Sequence, residues 1–581
     1  MLRPMITRLI FNEAPTIAFS GASFGNVGSF DKIQGRAVGE LDPANPLNVV
    51  ITDITLAPRN ARGMVEYAVD FYILRPVDPS RGNKVMVFDV TNRGNKMTYL
   101  PLSFPFRAPG RYLPNNDPCG PDDAGTGLLM RQGNTIVWTG WDATAPPGGG
   151  RMTLTVPIAE IDGKPIVAPA LEEIMADMPQ NPSPTAEMLN WPLTYPAATM
   201  DKSEATLTVR KYREDSPTVV PADQWEYIDA STIALSPAGK KSFEPGMVYQ
   251  FIYPATNPKV IGIGFAAVRD FASFARRSAT DAHGTPNPLA GTIRWAIATG
   301  LSQSGRFHRP FLHLGFNQDE NGRQVFDGMM PYINGSGGGF FNHRFGQPNR
   351  TAFKRLSHVY PEQVFPFAYS RLTDPITGKT DSVLARCEAS GTKPKIMEIN
   401  DSNSWWFKNA SLSITTPDGS QDLDDPTDVR FYLLSSVPHG VGKGFVSNCR
   451  ILSAQASVAR LAHGDDRLGR RGQRTAAEQC AAAARWDSRG SVVTSGGRFP
   501  DDSGGQLQRR GERPRTLRLR SRIREGRYQP CTPGSDRPRL RDVGAEDGPG
   551  WYRYRRNQAA RYRGSDRYLH RMESAGAGAE G

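Results

Sequence analysis

Ile293-Arg294-Trp295-Ala296-Ile297-Ala298-Thr299-Gly300-Leu301-Ser302-Gln303-Ser304-Gly305 is the stretch on which the reading of this chain turns. Residues 293–298 are a short apolar run suited to a buried strand, and the residues that follow, through Leu314, carry a helical pattern. A serine held in a sharp turn between strand and helix is presented for nucleophilic attack. The positions two before and two after it must be small, because strand and helix approach closely there. Ser302 meets this condition with Gly300 and Ser304, whereas Ser304 fails it because Arg306 stands two residues further on. The N–H of Gln303, at the start of the helix, is then placed to donate to an oxyanion. Pro310 should bend that helix or mark its end.

The bare pattern turns up about once by chance in a chain of this size, and a second copy is present. Gly21-Ala22-Ser23-Phe24-Gly25 is the stricter match, but turn-rich sequence surrounds Ser23, with no strand before it and no helix after it. Context therefore selects Ser302.

Working outward, Val65, Tyr67, Val69, Phe71 and Ile73 alternate with polar residues, the period of a half-buried strand. Residues 85–90 are nearly continuous and β-branched, as in a buried central strand, and stop at Thr91-Asn92-Arg93-Gly94; residues 135–138 are a third strand candidate. Residues 145–260 mix Pro-rich segments with short alternating strands such as 205–209 and read as an insertion or cap. Beyond them, Val268, Phe271, Phe274 and Ala275 share one helical face, and residues 396–399 and 429–434 read as two more buried strands. Strands alternating with helices imply a mainly parallel sheet with function at the strands' C-terminal ends.

A serine nucleophile needs a base and an orienting acid, here in the chain order Ser, acid, His. His439 follows the last strand in Ser436-Val437-Pro438-His439-Gly440 and is the best placed of eight histidines. Asp401, directly after the strand at 396–400, is a candidate acid, and Asp422, Asp424, Asp425 and Asp428 compete with it. Gly262-Ile263-Gly264-Phe265-Ala266-Ala267 fits a dinucleotide fingerprint, but its setting favours close helix packing; Gly378-Lys379-Thr380 reads as a turn.

The 581 residues carry a net charge of +12, and the charge is not spread evenly. Residues 450–581 hold 28 Arg, no Lys and 15 acidic residues, a net +13, which leaves the rest at −1. The basicity is thus a property of the C-terminal segment and not of the globular part. Five scattered cysteines without a CxxC pair suggest neither a disulfide framework nor a zinc ribbon. No apolar run approaches a membrane span, and no clear leader opens the chain. As written it reads as cytoplasmic; a mis-assigned start would leave room for a secreted or periplasmic location.

An ordered set of segments resembles a bacterial family of α/β-hydrolase-domain proteins, distantly like tannase and feruloyl-type esterases. The segments are Ala22-Ser23-Phe24-Gly25, Leu56-Ala57-Pro58-Arg59-Asn60, Thr91-Asn92-Arg93-Gly94-Asn95-Lys96, the stretches 262–270 and 300–307, and Gly315-Phe316-Asn317 through Val325-Phe326-Asp327-Gly328. Coverage runs from about residue 20 to 445. The resemblance implies an α/β-hydrolase fold with Ser302 as nucleophile and His439 as base, and a second oxyanion donor near Asn92, Arg93 and Gly94. Arg269-Asp270 and the segment 342–345 look like family segments, a buried ion pair and a packed loop when read as structure.

Two departures stand out. Where the family usually has Asn-Thr-Ser-x-Glu-Tyr-Trp, this chain has Asn400-Asp401-Ser402-Asn403-Ser404-Trp405-Trp406, with Ser404 at the glutamate position. Either Asp401 has taken the acid's role or the triad is impaired. From Asn448 on, the arginine-rich, lysine-free sequence resembles GC-rich coding sequence read out of frame. A frameshift near 444–450 is one expectation, checked by whether a single-base shift in the gene restores a Pro-rich, helix-forming continuation.

The expectation is an α/β-hydrolase domain over residues 1–445 with a β-rich cap at about 145–260, and a disordered Arg-rich tail over 446–581. Its activity would be that of a serine hydrolase cleaving a small-molecule carboxylic ester through an acyl-enzyme. No metal, cofactor or membrane is implied. Trp138, Trp405, Trp406, Phe340 and Phe341 are candidates for aromatic pocket walls or for core. The alternative is an impaired scaffold, or nucleic-acid binding by the tail through Tyr552, Tyr554, Tyr562 and Tyr568 among arginines.

Overall fold

Strand-forming runs come first in the chain: β1 (Ile6–Phe11), β2 (Phe30–Leu41), β3 (Val65–Pro76), β4 (Val85–Val90) and β5 (Thr135–Thr139). Then come β6 (Ala168–Ile174), β7 (Thr206–Arg210) and β8 (Val248–Ala255). Apart from the single helical turn Leu128–Arg131, helices enter afterwards, and the elements that position the site are, in order, α1 (Ile263–Arg277), β9 (Trp295–Leu301), α2 (Gln303–His313), β10 (Gly328–Tyr332), β11 (Lys395–Asp401), α3 (Ser402–Phe407) and β12 (Val429–Leu434). This is a computed structural model, and it describes residues 5–96, 116–175, 190–212, 214–235, 242–348, 362–434 and 439. The expectations for residues 446–581, the tail's disorder, frameshift origin and nucleic-acid contacts among them, lie outside the described residues.

One sheet organises the molecule, in the order β1-β2-β3-β5-β4-β9-β10-β11-β12. Every neighbouring pair from β5 to β12 is parallel, while β1, β2 and β3 form an antiparallel flank joined to β5. The parallel strands all present their C-terminal ends at one edge, where a crevice for ligands forms in open α/β sheets. The expected mainly parallel α/β architecture is what the chain adopts.

Each face of the sheet has its apolar layer. On one side every residue of α1 from Ile263 to Ala275 is buried. There Phe265 stacks on Phe316 at 5.3 Å, and Phe271 on Phe71 at 5.2 Å. The predicted face of α1 is thus part of a helix buried all round, not one half-open to solvent. A helix enclosed on all sides must carry its charges in pairs, and Arg269 Nε donates to Asp270 Oδ1 at 2.7 Å while its Nη2 reaches Glu320 Oε1 at 3.2 Å.

The glycines that open α1 serve packing. A Cβ on Gly264 would lie 2.1 Å from the Trp141 carbonyl oxygen, and one on Gly262 would lie 2.0 Å from Asn342 Oδ1. Gly264→Ala is therefore expected to destabilise the fold by about 1–3 kcal/mol, the range for overpacking against backbone that cannot yield. A urea midpoint equal to that of the wild type would refute this account of the glycine.

β6, β8 and β7 make a smaller antiparallel sheet with Thr218–Val219, next to a three-stranded one of Asn190–Pro192, Thr232–Leu235 and Trp225–Asp229. Together they enclose their own core, in which Trp191, Trp225, Phe251 and Tyr253 are buried. Phe345 enters that core, and Tyr195 donates to the Gly346 carbonyl at 2.6 Å, so the loop after β10 ties these sheets to the main one.

Candidate functional site

Ser302 follows the last residue of β9 and sits at φ 58°, ψ −109°. A side chain in that region is strained, and such strain persists only where the surroundings over-determine it. Here three features do so. The Ser302 N–H donates to the Tyr332 carbonyl at 2.9 Å. Ser304 Oγ donates to the Leu301 carbonyl at 3.1 Å and accepts from the Leu301 N–H at 3.0 Å. A Cβ on Gly300 would stand 2.5 Å from the Ser304 carbonyl oxygen, so the small residues flanking the turn are required by contact. Ser304 is fully buried and stitches the turn, whereas Ser23 of the stricter motif lies in irregular backbone between short 3-10 turns. Pro310 falls near the end of α2, which stops three residues later at His313.

His439 completes a pair with this serine, its Nε2 standing 2.7 Å from Ser302 Oγ. On the far side of the ring, Nδ1 is 3.6 Å from Asp401 Oδ2 and 3.4 Å from Ser404 Oγ. Asp401 ends β11 and is also the N-cap of α3, its Oδ1 accepting from the Ser404 N–H at 2.5 Å. Burial raises the Asp401 carboxyl above its ordinary range, opposed by the hydrogen bonds from Ser404. The competing acids stand elsewhere. Asp422, Asp424 and Asp425 are on an exposed loop, and Asp428 pairs with Lys393 at the opposite end of β12. Of the five acids weighed, the fold brings Asp401 to His439.

The oxyanion candidates converge on the same edge. Gln303 is the first residue of α2, where helix N–H groups have no intrahelical acceptor. After β4, Asn92 and Asn95 exchange backbone hydrogen bonds of 2.9 Å each, which leaves Arg93 and Gly94 at the tip of a tight turn with φ of 51° and 81°. Asn92 Nδ2 donates to the Leu301 carbonyl at 2.7 Å, clamping this turn against the residue before Ser302.

A charged group that sequence reasoning missed lies beside the serine. Arg306, one helical turn past Ser302, donates to Glu362 Oε1 at 2.7 Å, and Lys408, at the C-terminal end of α3, donates to Glu362 Oε2 at 3.1 Å. Burial alone would raise the Glu362 carboxyl, but the charges of Lys408 and Arg306 and their hydrogen bonds bring it down to about 2. Burial, only partly offset by Glu362, lowers the Lys408 ammonium to about 8. Burial, reinforced by the charges of Lys408, Arg306 and Arg93, pushes the His439 imidazole down to about 4. The visible signal was Arg306 at four residues beyond Ser302; Glu362 and Lys408 join only through folding.

A second charged network anchors the strand that carries Asp401. Arg309 Nη2 meets Glu398 Oε2 at 3.1 Å, and Tyr369, Asn400 and Ser413 donate to the same carboxylate at 2.6, 2.9 and 3.1 Å. The aromatic candidates divide: Trp138 and Phe341 are buried in the core, Phe340 is buried, Trp405 is half-buried, and Trp406 is exposed. Among the described residues no helix is long and apolar enough to cross a membrane, and no group of three His, Cys, Asp or Glu is placed to hold a metal ion.

The family described as "Alpha/beta hydrolase domain" matches residues 202–490. The chain carries an alpha/beta hydrolase domain. The matched range ends at residue 490, beyond the compositional break near residue 446. No curated protein matches the chain. Two solved structures are similar to it at 10% identity, a promiscuous CE15 esterase from a marine bacterial metagenome and the glucuronoyl esterase of Solibacter usitatus. Each match covers 75% of this chain and 82% of the other, with TM-scores of 0.25 and 0.26. At that distance the likeness carries nothing about the chemistry of this domain.

Proposed function

We propose that the domain is a serine hydrolase that cleaves a carboxylic ester through an acyl-enzyme. The observation that carries this reading is the 2.7 Å contact between Ser302 Oγ and His439 Nε2 at a strained strand-to-helix turn. In the reaction, His439 takes the hydroxyl proton as Oγ attacks the ester carbonyl, then returns it to the departing alkoxide; water repeats the sequence to free the acid. Asp401, with Ser404 beside it, holds the Nδ1 side of the ring. The Gln303 N–H and the Arg93–Gly94 turn supply donors for the tetrahedral oxyanion. The small sheets of residues 168–255 serve as a cap that shapes the pocket.

A fluorophosphonate probe tests this directly. The expected result is one labelled peptide carrying the adduct on Ser302, with Ser304→Ala still labelled. Folded wild-type protein that stays unlabelled would remove the serine mechanism.

The pH profile gives a second test. His439 acts as a base only when neutral, and an imidazole held down at about 4 stays neutral well into the acid range. The acid limb of kcat/KM is expected near about pH 4 to 5, below the roughly 6.5 of an unperturbed histidine. Lys408→Met removes a charge that opposes protonation, so the limb should move to higher pH. An unmoved limb would show that the cation does not act on the base.

A further inference from the structure

Arg306 and Lys408 reach the site from different strands. Arg306 is in the first turns of α2, after β9, and Lys408 closes α3, after β11; β10 lies between these strands in the sheet. Their side chains are 4% and 7% exposed. The approach of Lys408 is built in, since a Cβ on Gly335 would lie 2.3 Å from the Lys408 Cβ, and the Ser336 N–H donates to the Lys408 carbonyl at 3.0 Å. Glu362 is the carboxylate shared by the two cations and takes one hydrogen bond from each. A guanidinium carries five N–H donors and an ammonium three, so most of the donor capacity at this point is not spent on Glu362. Arg93 adds a third cation on the β4 side, but its charge is shared with Asp142, whose carboxylate it stabilises.

Two buried cations against one carboxylate leave one positive charge without a counterion among the described residues, an arrangement that costs stability unless a ligand answers it. Arg306 rises from the helical turn that follows the nucleophile, its backbone N–H donating to the Ser302 carbonyl at 2.9 Å, so the pair of cations is built beside the serine and not at a remote surface.

We propose that Arg306 and Lys408, held apart by Glu362, form a subsite for an ionised carboxylate, so that the preferred ester carries a second, free carboxylate a few atoms from the bond that is cleaved. This rests on the serine-hydrolase reading above. A hemiester of a dicarboxylic acid or an acylated hydroxy acid has the required chemistry.

The test compares matched esters with the full chain. Monoethyl glutarate against ethyl valerate places the carboxylate on the acyl side, and 4-acetoxybutyrate against butyl acetate places it on the leaving alcohol. In at least one pair the wild type should favour the anionic ester in kcat/KM by about tenfold to a hundredfold, the yield of hydrogen bonds to a charged group. Lys408→Met and Arg306→Met each leave Glu362 with one cation, so neither strands a buried charge, and in each the ratio should collapse towards one.

Ratios near or below one in both pairs, with the neutral esters turned over, would overturn the subsite and leave the hydrolase reading standing. So would a Lys408→Met variant that slows both members of a pair equally, the mark of a cation that serves the oxyanion instead. If no ester is cleaved and Ser302 takes no fluorophosphonate, the hydrolase reading fails and the subsite falls with it.

Discussion

Ser302→Ala should lower kcat by a factor on the order of 10⁶, the loss that follows removal of the nucleophile in the serine-protease template. The expectation rests on one atom, since Ser302 Oγ is the hydroxyl that stands 2.7 Å from the His439 imidazole at this turn. Ser304 cannot substitute, because it is fully buried and its hydroxyl both donates to and accepts from the backbone of Leu301. Asp401→Asn makes an informative companion. Asparagine caps a helix about as well as aspartate, so α3 stays in place while the charge behind His439 is lost, and a fall of about 10⁴ is expected from a misheld tautomer. Asp401→Ala removes the cap as well and should also lower stability. Were Asp401→Asn to lose less than tenfold, Ser404 at 3.4 Å would be the group that holds the ring.

Arg309→Met is the largest stability change we expect. It leaves Glu398 fully buried, with hydroxyl and amide donors but no cation, and breaking a buried pair from one side costs about 3–5 kcal/mol. Neutralising the orphaned charge in the double variant Arg309→Met, Glu398→Gln should recover part of that loss. Urea unfolding of the three proteins measures both steps. A single variant within about 1 kcal/mol of wild type would mean that the pair is not what anchors β11.

The sheet was legible where burial is continuous. Residues 85–90 could be read as a central strand because a strand covered on both faces has no polar alternation to lose, and they are buried at every position. The serine was legible for a steric reason, the need for small residues at 300 and 304. β2 escaped because its inward positions include Gly35 and Gly39, where a Cβ would lie 2.2 Å from the Ile10 carbonyl and the Tyr67 ring respectively. Close packing there removes the apolar side chains that would have announced the strand. β10 escaped because Pro331 and two methionines dilute its β-pattern. Glu362 was beyond reach for a different reason. It acquires meaning only when a segment 56 residues from Arg306 and 46 from Lys408 folds between them, and no local pattern records that.

The division of the cations among strand ends has a consequence for how this chain can vary. Arg306 lies in the helix that Ser302 caps, so its backbone is placed by the same turn that places the serine. Lys408 and Arg93 sit on connections that follow other strands, where a single codon change alters the charge of the pocket and leaves the turn at Gly300 and Ser304 untouched. On the proposed reading, selectivity can therefore drift one connection at a time while the reaction stays constant, and proteins of this fold that differ at positions 93 and 408 would be expected to differ in the charge of the ester they take.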